Sequence, residues 1–196
     1  MSAGSNSSIR FIALFFCTLV ALVSCKSGEE KYKSQLLVLD SLSKQLTSVS
    51  ENMQRIDTSV VRHNAKDIKE DLLFIQTNFH DTLNETAATL ISTYSLLEYS
   101  FSNFLTQRDF FTKEVDTTQI QISSLTHDMK HDLLEESKVT AYYEKEKANA
   151  EQLIQLIPRK VDELQAAMAD FENTKPQINT FIEQMTDLEL KRKNEN

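Results

Sequence analysis

The sequence predicts an all-α protein, an antiparallel bundle of three or four long helices with coiled-coil-like heptad seams. Three observations lead to this prediction. Glycine and proline are scarce, with two of each in 196 residues, and neither occurs between Glu29 and Ile157. Apolar residues recur at alternating spacings of three and four over many turns, which is typical of packed helices. A phenylalanine-rich segment in the middle of the chain widens this apolar stripe.

The chain begins with a polar segment and then an apolar run, residues 11–23, whose end overlaps the tetrapeptide Leu22-Val23-Ser24-Cys25. This tetrapeptide resembles a bacterial lipobox, in which a dedicated peptidase cuts before a cysteine that has received a lipid. An ordinary signal peptidase requires a small side chain where Leu22 stands. The residues therefore predict cleavage between Ser24 and Cys25 and acylation of Cys25, with plain secretion as the alternative.

A retained membrane anchor fits this apolar run less well. As a helix, residues 11–24 would rise only about 21 Å, against a hydrocarbon core of about 30 Å. The predicted organisation is therefore a removed lipoprotein signal peptide over 1–24, a lipidated tether over 25–30 and a helical bundle or coiled-coil domain over 31–193.

The composition excludes several classes of protein. The formal net charge is −8, and removal of residues 1–24 takes away Arg10 and no acidic residue, which makes the mature charge −9. Such a chain lacks the basic stripe that binds phosphate, so no nucleic-acid partner is expected. Cys25 is the only cysteine left after processing, and no disulfide framework can form. The lack of glycine also excludes the phosphate loops of nucleotide-binding folds.

The first predicted helix covers about residues 31 to 62. Its apolar seam consists of Leu39, Leu42, Leu46, Val49, Met53, Ile56 and Val60. The seam loses its phase at residues 62–64, and a second phase begins from Val61, which predicts either a stutter or the first turn.

The second predicted helix, about residues 65 to 113, contains the richest apolar stripe. The stripe occupies the heptad positions Ala87, Leu90, Tyr94, Leu97, Phe101, Phe104, Phe111 and Val115. Four further apolar residues widen it: Ile91, Leu96, Leu105 and Phe110. So broad a stripe contacts more than one neighbouring helix, and we expect this segment to form the centre of the core. Within this range Thr82-Leu83-Asn84-Glu85 fits a capping box, and Asp81 or Thr82 is a candidate cap for a new helical segment there.

Two further helices are predicted, about 117 to 157 and 158 to 192. The segment from Asp116 to Gln119 fits a second capping box, and we expect a boundary there. In the last segment the apolar spacing keeps its phase through Pro158 and Pro176. This continuity predicts either a long helix that is kinked near Pro158 or a short restart at Pro176.

The strongest candidate for a chemical site is His127-Asp128-Met129-Lys130-His131. Histidines four residues apart share one helix face and can hold a metal ion, with Glu135 one turn further along. Leu125 and Met129 mark the buried stripe, however, so His127 and His131 point to solvent. No nucleophile-elbow glycines surround a serine, and no paired Glu-x-x-His pattern occurs. We therefore expect no metal site, no catalytic residue and no enzyme, and no cofactor apart from the acyl lipid on Cys25.

Five short stretches of the mature chain carry a family resemblance: Leu39-Asp40-Ser41-Leu42, Arg55-Ile56-Asp57-Thr58, Phe74-Ile75-Gln76-Thr77-Asn78, Leu125-Thr126-His127-Asp128-Met129 and Tyr142-Tyr143-Glu144-Lys145-Glu146. With these stretches the chain resembles a family of helical lipoproteins of Bacteroidota. The resemblance implies an envelope location and an all-helical fold, and it carries over no catalytic residue. Glu29 and Glu30 also resemble the surface-export signal of some Bacteroidota lipoproteins, although two carboxylates equally favour a helix N-terminus.

These observations predict a lipid-anchored, non-catalytic cell-envelope protein that acts as a helical scaffold, spacer or protein-interaction module. The expected location is the outer membrane, on its periplasmic or its surface face. The expected partners are the membrane, through the lipid anchor, and a protein partner or a second copy, without a small-molecule substrate. The alternatives are a surface-exposed binding protein and a helical protein that acts on membranes.

Overall fold

Five helices make up the part of the chain that the computed structural model describes, residues 28–79 and 83–195. They are α1 (Gly28–Lys31), α2 (Lys33–Gln54), α3 (Thr58–Asn78), α4 (Glu85–Lys130) and α5 (Glu136–Glu195). No strand occurs among these residues, and the long helices pack against one another. The predicted all-α bundle is confirmed.

The helices form three layers that run up, down and up. The helices α4 and α5 are an antiparallel hairpin, and α1 to α3 lie end to end along it. At one end Lys31 pairs with Asp132, and further along the Nε2 of Gln119 donates to the Oγ1 of Thr47 at 2.9 Å. The helices α2 and α3 therefore run antiparallel to α4 and parallel to α5. Because α5 has 60 residues, the bundle is a rod about 90 Å long.

Two hydrophobic cores follow each other along the rod. The proximal core joins α2 to the second half of α4 and the first half of α5, and its buried side chains are Tyr32, Leu39, Leu42, Leu46, Met53, Phe111, Val115, Ile122, Leu125, Met129, Val139, Ala150, Leu153 and Ile157. The distal core joins α3 to the other halves of α4 and α5, and its buried side chains are Val61, Ile68, Ile75, Tyr94, Leu97, Phe101, Phe104, Leu164, Ala167, Phe171 and Ile178. The aromatic stripe predicted as the centre of the core thus contributes to both cores.

The first helix boundary lies at Arg55–Asp57, about two helical turns earlier than predicted. Asp57 caps α3 by accepting a hydrogen bond from the backbone N–H of Ser59 at 2.8 Å. The apolar phase changes at this break, so that Val61 is buried while Val60 is 40% exposed. The spacing alone continues to Val60, and for this reason it placed the boundary too late.

The predicted boundary between residues 113 and 117 is wrong, because α4 is continuous there. Val115 and Thr118 are both buried and face the core, whereas Thr117 is exposed, and none of these β-branched residues ends the helix. The start of α4 is capped by Asn84, whose side chain accepts a hydrogen bond from the backbone N–H of Ala87 at 2.9 Å. The predicted cap residues 81 and 82 lie outside the described residues.

The turn between α4 and α5, residues 131–135, has no counterpart in the prediction, which continues a helix through it. It is a Schellman motif, in which the backbone N–H of Leu133 donates to the C=O of Asp128 and that of Asp132 donates to the C=O of Met129. Asp132 has a φ of 50°, a left-handed conformation in which aspartate is tolerated. Glycine, the usual sequence signal for this motif, is absent.

The helix α5 contains both prolines without interruption, so the predicted boundary at 157–158 and the alternative restart at Pro176 are wrong. Each proline removes one backbone hydrogen bond. Ile157, Leu164 and Ile178 are buried along the same stretch, and their packing against the other two layers compensates for the lost bonds.

Candidate functional site

The rod end at which the described chain begins is closely packed. Gly28 is buried against the end of α4, where a Cβ would lie 2.1 Å from the carbonyl oxygen of Met129 and 2.9 Å from the backbone nitrogen of Asp132. The Nζ of Lys31 lies 3.2 Å from the Oδ1 of Asp132, which ties α1 to the α4–α5 turn. The neighbouring Tyr32 side chain, whose ring centroid lies 4.8 Å from the Nζ, and the hydrogen bond to Asp132 raise the pKa of Lys31, which therefore stays cationic.

The predicted lipidation residue Cys25 and the predicted cleavage residue Ser24 lie outside the described residues. Cys25 precedes Gly28 by three residues, and three residues span at most about 10 Å. A lipid on Cys25 would therefore be held within about 10 Å of the tightly packed end of the rod.

The candidate metal ligands His127 and His131 lie together at this same end. Both are exposed, and their ring centroids are 4.4 Å apart, as the one-turn spacing predicts. Glu135 does not join them but pairs with Lys138 at 3.6 Å. Within residues 28–79 and 83–195 no group of three or more His, Cys, Asp or Glu side chains is arranged to hold a metal ion. The pair thus offers two ligands, fewer than a structural zinc site uses.

A polar network crosses the distal core and joins all three layers. The Oη of Tyr94 donates to the Oδ2 of Asp71 at 2.7 Å. This Oδ2 also accepts a hydrogen bond from the Nζ of Lys175. Tyr94 is buried and stacks on Phe171, with ring centroids 6.1 Å apart. Burial, and then the hydrogen bond to Asp71, raise the pKa of Tyr94 well above its usual value. The phenol therefore remains protonated and serves as a donor, not as a base.

A cleft of about 610 Å³ opens on the side of the rod where α2 ends and α3 begins. The helix break lies opposite Pro158 and leaves this space unfilled. Ile56, Val60 and Pro158 contribute apolar lining, and Arg55, Asp57 and Asp162 add one positive and two negative charges. The cleft is large enough for a small molecule, but its mixed charges do not define one class of ligand.

The outer face of α4 carries four large apolar side chains that remain largely exposed. They are Leu96, Tyr99, Phe110 and Ile120, with exposed fractions of 64%, 65%, 57% and 67%. Leu96 and Phe110 were predicted to widen the core, and this prediction is wrong because they lie on the far side of the helix. Ile91 and Leu105, predicted with them, do pack against the distal core.

Comparisons with protein-family models, with curated proteins and with solved structures find no match in any of the three. None of the helices in residues 28–79 and 83–195 is long and apolar enough to cross a membrane. The features with functional potential are therefore the packed end that follows Cys25, the long rod and the exposed face of α4.

Proposed function

We propose that the protein is a lipid-anchored, non-catalytic scaffold of the cell envelope that holds its distal end away from the membrane. The lipobox-like sequence at Cys25 supports the anchor, and the resemblance to helical lipoproteins of Bacteroidota supports the envelope location. The coiled-coil-like spacing of the helices supports a role as a spacer or protein-interaction module. We place the protein at the outer membrane.

The observation that carries this proposal is the position of Gly28. It packs at the same rod end as the α4–α5 turn, and α5 then runs for 60 residues toward the other end. An anchor three residues before Gly28 would therefore attach the rod by one end. The far end of α5 would stand about 90 Å from the anchor in an upright rod.

The anchor is tested by mass spectrometry of the protein isolated from membranes. The expected amino terminus is Cys25 carrying acyl chains, and Cys25→Ser should leave an unlipidated protein that no longer fractionates with membranes. A Cys25→Ala variant should behave in the same way, because the lipid is attached through a thioether to the cysteine sulfur, which both variants lack. An intact amino end upstream of Cys25 in the native protein would contradict the anchor.

The spacer role is tested by the height of the distal end above a bilayer. Lipidated protein with a fluorophore at position 190 is bound to a supported bilayer, and the distance to the membrane is measured by fluorescence interference. The expected height is about 80 Å for an upright rod, and a label at position 133 is the matched control near the membrane. A label at position 190 within about 20 Å of the bilayer would show a rod that lies flat and would contradict the spacer role.

The exposed face of α4 favours a second candidate, a surface-displayed binding protein. Protease shaving of intact cells separates the two locations. Loss of the rod on shaving would support display on the surface face, whereas protection until the outer membrane is opened would support a periplasmic scaffold.

A further inference from the structure

A second heptad seam runs along α4 on the side opposite the core. The inward positions of α4 have alternating spacings of three and four, and they are Tyr94, Leu97, Phe101, Phe104, the partly buried Arg108, Phe111, Val115 and Thr118. A shift of two residues from each gives the outer seam: Leu96, Tyr99, Asn103, Thr106, Phe110, Lys113, Thr117 and Ile120. Two residues correspond to about 200° around a helix, so the outer seam stays opposite the core along its whole length.

The outer seam exposes enough apolar surface for a specific interface. Its four large apolar residues are each more than half exposed, and together they expose roughly 500 Å². Covering them on two copies would remove roughly 1,000 Å² from water, which is the size at which specific interfaces begin. Large apolar side chains that stay exposed along one face of a helix mark interaction surfaces, although polar residues separate them on this seam.

We infer that the outer seam pairs with the outer seam of a second copy, antiparallel, with the two-fold axis beside Arg108. The seam is self-complementary in this arrangement. Leu96 faces Ile120 of the partner subunit, so that apolar side chains meet at both ends of the seam. Phe110 faces Thr106 of the partner subunit, which places a large side chain against a small one. No carboxylate lies on the seam.

Charge favours the antiparallel over the parallel arrangement. A parallel pair would place Lys113 against Lys113 of the partner subunit. The antiparallel pair places Lys113 against the uncharged amide of Asn103 of the partner subunit. Asp109 approaches its own copy at the axis, but the Nη1 of Arg108 lies 4.0 Å from its Oδ1 and reduces the repulsion. The dimer goes beyond the proposed anchoring and does not depend on it: the two anchor ends point in opposite directions, so one membrane holds only one copy of an upright pair by its anchor.

The first test uses residues 25–196 with Cys25→Ser, a chain that contains both cores. Sedimentation velocity up to about 200 μM should show a monomer–dimer equilibrium. Leu96→Glu and Phe110→Glu should each weaken the dimer by at least about tenfold. The matched control is Leu73→Glu on α3, because Leu73 is 63% exposed and lies off the seam. It should leave the dimer unchanged, and circular dichroism confirms that every variant keeps its helicity.

The second test distinguishes the arrangement by disulfide formation in the same Cys25→Ser chain. Asp109→Cys should cross-link two copies rapidly, because residue 109 meets its own copy at the axis. Asp116→Cys should not, because the antiparallel arrangement separates its two copies by about 16 residues, or about 24 Å along the helix. Equal cross-linking of both variants would indicate a parallel pair and would overturn the antiparallel arrangement.

Two other outcomes would overturn the proposal entirely. One is a monomer over the whole concentration range, and the other is an equal loss of the dimer in Leu73→Glu and Leu96→Glu. In either case flotation with anionic phospholipid vesicles would show whether the outer seam binds a membrane surface, since binding would then be lost in Phe110→Glu.

Discussion

The proximal and distal cores use the same three layers but differ in how their carboxylates are paired, the partly buried Asp71 in the distal core and the buried Glu146 in the proximal core. In the distal core Asp71 accepts hydrogen bonds from Tyr94 on α4 and from Lys175 on α5. In the proximal core Glu146 is 5% exposed, and its Oε2 has no hydrogen-bond partner among the described residues. Its other oxygen lies 3.4 Å from the Nζ of Lys145, which is mostly exposed. A satisfied polar group specifies how three helices align, whereas an unsatisfied one only costs desolvation free energy.

The two cores also differ in the shape of their apolar side chains. In the distal core the ring of Phe171 stacks on Tyr94 and meets Phe101 edge to face, with centroids 5.9 Å apart in the second pair. The proximal core is mainly aliphatic and includes Met53 and Met129. Aromatic pairs require a particular geometry, while methionine adapts to irregular space. The distal core should therefore tolerate substitution less well than the proximal core.

The largest expected effect is the loss of stability when one buried side chain of each core is truncated. Phe101→Ala removes a fully buried ring and should lower the free energy of unfolding by about 3–5 kcal/mol. Leu46→Ala, at equal burial in the proximal core, should cost less, about 2–4 kcal/mol. Denaturant unfolding followed by circular dichroism measures both values. A larger loss for Leu46→Ala would show that the aromatic core is not the less tolerant one.

The polar network provides the second prediction. Asp71→Ala leaves the Tyr94 hydroxyl and the Lys175 ammonium without their shared acceptor, and should cost about 2–3 kcal/mol. Tyr94→Phe removes one donor only and should cost about 1–2 kcal/mol, because Asp71 keeps Lys175. The double variant Asp71→Ala with Lys175→Met should recover part of the loss in denaturant unfolding. Strict additivity of the two substitutions would contradict a coupled network.

Glu146 provides the third prediction, in the opposite direction. Glu146→Met replaces a buried carboxylate that has one unpartnered oxygen with an apolar side chain of similar length. The free energy of unfolding should rise by about 1–2 kcal/mol. Lys145→Met, which removes the exposed half of the pair, is the control and should change stability little. A destabilised Glu146→Met protein in thermal unfolding would show that the carboxylate has a stabilising partner.

The proximal end of the rod provides the fourth prediction. Gly28→Ala places a methyl group against the backbone of Met129, so α1 must move away from the α4–α5 turn. The overall cost should be about 1 kcal/mol, since only the first helical turns are displaced. Hydrogen exchange should accelerate near residues 28–36 and remain unchanged in the distal core. Glu29→Ala, on the exposed side of α1, is the control. Unchanged exchange near α1 in Gly28→Ala would mean that the close contact is not needed.

The sequence predicts which residues share a helix face better than it predicts what that face meets. Leu39, Tyr94, Phe101 and Ile178 are buried as their spacing indicates, because periodicity is a local property. Spacing cannot tell the two opposite seams of α4 apart when both carry large apolar residues. For this reason both Phe110 and Phe111 were predicted in the core, although only Phe111 is buried there.

The turns and the polar network were harder to predict for two different reasons. Asp132 adopts a left-handed conformation that glycine usually marks, so the α4–α5 turn carries no glycine signal. Asp71 and Lys175 are 104 residues apart, and only the packing of α3 against α5 brings them together. The signal peptide and the modification at Cys25 remain predictions, because residues 1–27 lie outside the described part of the chain.

Asp57 provides the prediction with the smallest expected effect, and it concerns the junction between the two cores. Hydrogen bonds from the Ser59 hydroxyl and then from the Ser59 backbone N–H hold the pKa of Asp57 below its ordinary value of 3.8. A depressed pKa in the folded state means that the cap stabilises the protein above about pH 4 and loses this contribution as the pH falls through the folded pKa.

Asp57→Asn isolates this contribution because asparagine caps a helix equally well without a charge that titrates. As the pH falls from 5 to 2, the free energy of unfolding of the native protein should therefore decrease relative to that of Asp57→Asn. Ser59→Ala should raise the pKa of Asp57 toward 3.8 in an NMR titration of the carboxyl carbon. A pH-independent difference would mean that Asp57 does not cap α3 as a carboxylate, and the α2–α3 junction would then depend on apolar packing alone.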